Sequence, residues 1–158
     1  MAHYEATLET QLPGEEVFVY LSDFSNTEEW DPGTVQAERV GESPVGVGSE
    51  FRLVAAFLGR RSTIGYRVIE YDPPRTVSLR GENSTVIALD RVTVAPTGTR
   101  TRITYDARLT LKGPLKLADP LLALAFKRVG DHALAGMRDT LARKQAEMGE
   151  RVNVSERA

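Results

Sequence analysis

Hydrophobic and polar residues alternate along most of this chain. In HYEATLETQ (3–11), Tyr4, Ala6 and Leu8 fall on one side and Glu5, Thr7 and Glu9 on the other. That two-residue period marks a half-buried antiparallel strand. Pro13-Gly14 ends it. EEVFVYLSD (15–23) then places Val17, Phe18, Tyr20 and Leu21 at helical spacing, with Glu15 and Glu16 in the first turn, where the helix dipole favours acids. A second short helix, capped by Asp23 or Ser25, is predicted to end near Trp30, ahead of the breaker Asp31-Pro32-Gly33. Six strands are predicted next, over 34–40, 50–59, 61–71, 75–81, 84–95 and 99–111, with a loop at 41–48. Phe51, Leu53, Ala55 and Phe57 share one face, as do Ile64, Tyr66 and Val68, and Ile103, Tyr105, Ala107, Leu109 and Leu111. Short connections between these strands predict an antiparallel meander.

The period then changes. From Pro114 to about Met148 the apolar residues recur at helical spacing. Pro120 lacks the amide donor that a helix interior needs, and Asp119 before it is a good N-cap. The segment therefore divides into a helical turn over 114–118 and a main helix over 120–147, roughly 42 Å long at about 1.5 Å per residue. Ala118, Leu121, Leu122, Ala125, Phe126, Val129, Ala133, Gly136, Met137 and Leu141 form one stripe, with Lys127, Asp131 and Arg138 opposite. The centre of the stripe is small: Ala125, Ala133 and Gly136. Small residues either bring a helix close to its partner or leave room for something else.

Composition narrows the class. The 158 residues suit one domain, read as 1–148, with an aperiodic tail at 149–158 that is expected to fray. The absence of cysteine excludes disulfides and thiolate chemistry. A net charge of −2 gives no electrostatic case for nucleic acid or an anionic membrane. MAHYEATLE has neither the basic start nor the apolar run of a signal peptide, and no stretch reaches the roughly 20 apolar residues of a membrane span. The expectation is a cytoplasmic monomer or homodimer without membrane insertion.

The order β-α-α-β6-α resembles the helix-grip fold of the SRPBCC superfamily. That group includes START lipid-transfer domains, pollen-allergen-type carriers and polyketide cyclase/dehydrase-like proteins. The resemblance rests on EEVFVYLSDFSNTEEWDPG (15–33), GVGSEFRL (46–53), YRVIEYDPPRTVSLRG (66–81), DRVTVAPTGTRTRITYDARLTL (90–111) and KGPLKLADPLLALAFKRVGDHALAGMRDTL (112–141). The chain looks most like the bacterial polyketide cyclase/dehydrase branch. The resemblance implies an α+β fold, a curved seven-stranded antiparallel sheet wrapped on a long C-terminal helix, and a mostly apolar cavity between them.

Within that frame the inward set is Phe51, Leu53, Phe57, Tyr66, Val68, Leu79, Ile103, Tyr105 and Leu109, faced by Leu121, Ala125, Phe126, Val129 and Met137. A cavity wall and a solid core look alike at this level. Asp90 shares a strand face with Ala88, Val92 and Val94. If that face is inward, a carboxylate points into apolar surroundings, where burial raises its pKa and suits it to acid–base work or to anchoring a ligand. If Ile87 and Leu89 face inward instead, Asp90 is solvated or paired with an arginine. Tyr66 and Tyr105 are either orienting donors for a carbonyl or core tyrosines tied to backbone. His132, at the edge of the helix stripe, is either a general acid/base or a half-exposed flank residue. Trp30 reads as a structural residue that either seals the end of the cavity or packs the short helices. His3 has no evident partner. Gly46 and Gly48 resemble the glycine-rich loop of the pollen-allergen branch; no phosphate-loop pattern is present. No Ser-His-Asp set, metal-ligand spacing or nucleotide fingerprint is seen, so neither metal nor cofactor is expected.

Three functions follow. The first is non-covalent binding of a hydrophobic small molecule, a lipid, polyketide or aromatic metabolite, with Tyr66, Tyr105 or Asp90 fixing its polar end. The second is a polyketide cyclase, aromatase or dehydratase using Asp90 or His132. The third is a protein-interaction module with a solid core.

Overall fold

The computed structural model describes residues 1–157, except the side chain of Asp119; the N-cap expected there lies outside the described residues. Strand β1 (Ala2–Thr10) leads into helix α1 (Gly14–Ser22), a 3-10 turn (Phe24–Asn26) and the one-turn helix α2 (Thr27–Trp30). Strands β2 (Thr34–Val40), β3 (Glu50–Phe57), β4 (Arg60–Asp72), β5 (Thr76–Glu82), β6 (Val86–Thr97) and β7 (Arg100–Leu111) follow. A 3-10 segment (Gly113–Ala118) then precedes α3 (Asp119–Arg157). The strands form one antiparallel seven-stranded sheet in the order β1-β7-β6-β5-β4-β3-β2. This is the helix-grip arrangement, with α3 laid against the sheet's inner face. Asp23 caps the 3-10 turn as expected, accepting from the Ser25 amide at 3.1 Å.

Register decides what faces inward. One row across the sheet reads Tyr4, Ala107, Asp90, Leu79 and Val68; the next reads Ala6, Tyr105, Val92, Val77 and Tyr71. A bulge at Ile69 turns that residue outward and returns Tyr71 to the inner face, against the ring of Phe18 at 5.4 Å. The outer face carries cross-strand charge pairs, including Arg52–Glu38 at 2.7 Å and Arg91–Glu70 at 2.6 Å.

The core joins Leu8, Phe18, Leu21, Phe24, Trp30, Phe51, Leu53, Val68, Leu79, Val92, Ile103, Ala133, Met137 and Leu141. Helix α3 packs on β1 and α2. Two glycines permit that packing. A Cβ on Gly130 would stand 2.5 Å from the Tyr4 ring, and one on Gly136 would stand 2.0 Å from the Trp30 carbonyl oxygen. Gly136 is therefore the seat of the α2 backbone and leaves no room for a ligand. Thr140 secures the same contact by donating its hydroxyl to the Glu29 carbonyl at 3.2 Å. The helix continues past Met148, its expected end, as an exposed extension to Arg157.

Gly136→Ala is expected to lower stability by about 1–3 kcal/mol or more, since the obstructing atom is backbone and has little freedom to yield. Thermal and urea unfolding of the variant will measure this.

Candidate functional site

The first third of α3 stands apart from β3 and β4, and a cleft opens there. Its volume is about 670 Å3, and it is lined by Ala56, Phe57 and Leu58 on the hairpin side and by Leu121, Leu124, Ala125, Lys127, Arg128, Val129, Asp131 and His132 on the helix side. One inner-face row toward this end of the sheet runs Ala2, Leu109, Ala88, Gly81 and Tyr66, and three of its five residues are alanine or glycine. Further along, Val92, Val94, Ile103 and Val77 are bulky and fully packed.

The expected wall thus separates into two groups. Phe57, Leu121, Ala125 and Val129 line the cleft. Phe51, Leu53, Val68, Leu79, Ile103 and Met137 lie in the packed core instead. Leu109 and Phe126 are half-buried and outside the cleft lining. Leu121, read as part of the buried stripe, is 76% exposed. The start of α3 is apolar around most of its circumference, so periodicity alone did not fix which side faces in. Leu58 and Leu124 were not foreseen as lining residues.

Asp90 faces inward at 7% exposure. Tyr105 donates its hydroxyl to Asp90 Oδ1 at 2.6 Å, and Tyr66 donates to the same carboxyl. Tyr66 reaches it from β4 by lying across β5. A Cβ on Gly81 would meet the Tyr66 ring at 2.6 Å, so only glycine allows this path. The edge of Trp30 closes over Tyr105, with ring centroids 5.9 Å apart. The Trp30 Nε1 is buried without a partner among the described residues. Burial pushes the Asp90 pKa up to about 6, against the two tyrosine hydrogen bonds that lower it; the Asp31 and Asp106 carboxylates add to the rise. Both tyrosines are raised well above their ordinary value, first by burial and then by the adjoining carboxylate. Asp31 is raised by burial although the Gly33 amide, at 2.8 Å, and the Thr34 hydroxyl, at 2.9 Å, donate to it.

His132 lies in the cleft wall with its side chain exposed and is not joined to Asp90. His3, expected to lack a partner, places Nε2 2.7 Å from Asp106 Oδ2. Strand pairing brings Glu5 beside them on the outer face, a grouping of metal-ligand types that linear spacing could not reveal. Arg108 already supplies Asp106 with a cation, at 3.3 Å.

Residues 1–142 match the family model described as "Polyketide cyclase / dehydrase and lipid transport". The chain belongs to this family. The fold is similar to a START superfamily protein from Mycobacterium smegmatis, with a TM-score of 0.75 and 14% identity over 89% of this chain and 97% of that one. It is also similar to the Zhui aromatase/cyclase from Streptomyces sp. R1128, with a TM-score of 0.75 and 19% identity over 90% of this chain and 94% of that one. At such identities the likeness shows the fold alone. No curated protein matches the chain at a significant level. No described helix is long and apolar enough to cross a membrane.

A carboxyl whose pKa is higher in the folded chain than in the unfolded one binds its proton more tightly when folded. Asp90 therefore contributes most to stability below about pH 4, and the contribution is lost as pH rises toward 6. Asp90→Asn is expected to remove this component and to stabilise the chain at pH 7 relative to pH 4 by on the order of 2 kcal/mol. Urea unfolding of both proteins across that range will show it; parallel pH profiles would contradict the assignment.

Proposed function

We propose that this chain binds a hydrophobic small molecule, a lipid, polyketide or aromatic metabolite, in the cleft between the sheet and α3. The observation that carries this reading is the cleft itself. Its volume of about 670 Å3 falls in the range of roughly 300–1,000 Å3 typical of small-molecule sites. Apolar walls from Phe57, Leu121, Leu124, Ala125 and Val129 suit a hydrophobic body. Arg128 and His132 are the polar groups placed to meet its polar end. Asp90, Tyr66 and Tyr105 are engaged with one another and lie outside the lining, so in this reading they support the sheet face beneath the ligand. The family description and the fold shared with a START protein favour the same conclusion.

The test fills the cleft. Ala125→Trp is expected to weaken binding of an apolar fluorophore such as 1-aminoanthracene by roughly tenfold or more, the effect of about 1.4 kcal/mol. Unchanged probe affinity in a folded variant would sink the proposal.

One observation favours a second reading, acid–base catalysis on a polyketide-like substrate: His132 stands in the cleft wall. Under it, His132→Gln abolishes turnover of a poly-β-ketone thioester, whereas Asp90→Asn, remote from the lining, has a smaller effect. Turnover that survives both replacements rules this chemistry out.

A further inference from the structure

The mouth of the cleft carries an apolar patch that nothing in the described fold covers. On the helix side Leu117 is 90% exposed, Leu121 76% and Leu124 74%, spaced so that they follow one another along one side of the chain. Across the opening, Leu58 tips the hairpin between β3 and β4 and is 74% exposed. Its φ of 50° lies in the left-handed region, where asparagine or glycine is favoured and leucine is strained. An apolar side chain is thus held out to solvent at a position where backbone sterics oppose it.

Cations outnumber acids among the described side chains around these leucines, where Asp131 is the acid in the cleft lining and is paired with Lys127. Arg60 and Arg61 follow Leu58, Lys116 precedes Leu117, and Arg128 lies one turn beyond Leu124. All four are exposed and make no ion pair among the described side chains. Lys112 and Lys127 flank the patch but are paired with Glu82 and Asp131. The chain's net charge of −2 conceals this local surplus of cations.

We infer that this face docks on an anionic lipid surface, with the leucines in the headgroup boundary and the free arginines and lysine on lipid phosphates. Leucines ringed by cations have the composition of an interfacial membrane contact. A second copy of the chain is the poorer occupant, because a two-fold contact would set this cationic ring against itself. A protein partner is also disfavoured, because the projecting leucines stand on two separate elements around an opening and offer no continuous groove for a peptide. Docking does not require a loaded cleft. On the reading above, it would turn the mouth toward the bilayer and give an apolar ligand a dry route in or out.

The experiment is sedimentation of the full chain with phosphatidylcholine vesicles, with and without phosphatidylglycerol. Binding is expected only to the anionic vesicles and is expected to weaken with added salt. Arg60→Ala with Arg61→Ala should weaken it by roughly 25-fold, about fivefold per cation lost. Leu58→Asn relieves the turn strain and removes the apolar tip, so it should weaken binding while melting no lower than the parent. Binding that ignores lipid charge, absence of binding to either vesicle, or variants that bind like the parent would each overturn the inference. So would self-association that Leu58→Asn abolishes, since it assigns the patch to a second copy. The 1-aminoanthracene assay on the arginine double variant separates the two ideas: a lost vesicle response with intact probe binding leaves the cleft proposal standing.

Discussion

The fold depends on how closely α3 can approach its partners. Gly130 lets the Tyr4 ring of β1 lie against the helix backbone, and Gly136 admits the Trp30 carbonyl at the end of α2. Neither contact tolerates a Cβ without displacement. Each glycine within a helix costs about 1 kcal/mol of helix propensity relative to alanine, so the gain must come from packing. Tyr4 adds a hydroxyl hydrogen bond to Asp131 at 3.1 Å, and Thr140 ties α3 to α2. These contacts fasten the middle of the helix to β1 and to α2. The first third of α3 is left without an equivalent fastening on β3 and β4, and the cleft lies in the resulting gap.

Much of this was legible in the sequence, because the strand faces are set by a two-residue period and the long helix by its own. Other features depend on pairing rather than on period. The stretch around Asp90 has apolar residues on both sides, Ile87 and Leu89 on one face and Ala88, Val92 and Val94 on the other. Alternation cannot choose between those faces. Register can, because it opposes Asp90 to Leu79 and Ala107, which are buried. The same holds for His3 and Asp106, more than a hundred residues apart and adjacent only through β1 and β7.

The start of α3 misled for a different reason. Between Leu115 and Leu124 apolar residues occupy nearly every direction around the axis, so a stripe can be drawn through several of them equally well. Leu122 is the buried one; Leu117, Leu121 and Leu124 are not. A helix apolar all round belongs in a core or against another apolar phase. Leaving three leucines exposed forgoes about 1.5–3 kcal/mol for each, relative to full burial. That loss marks the cleft mouth as a place where stability has not set the residue choice.

The polar cluster inside the sheet sits where the two regimes meet. Toward the mouth the inner face is small, with Gly81, Ala88 and Ala2; away from it the face is bulky, with Val77, Val92 and Ile103. Asp90 lies between them, held by Tyr105 from one side and by Tyr66 from the other. Gly81 is the residue that lets Tyr66 cross β5 to reach Asp90. Adding a side chain at Gly81 would displace the Tyr66 ring. A buried carboxyl in an apolar face is costly unless it is well bonded, and here two strands supply its donors. The approach of Tyr66 to the buried acid therefore follows from one missing Cβ.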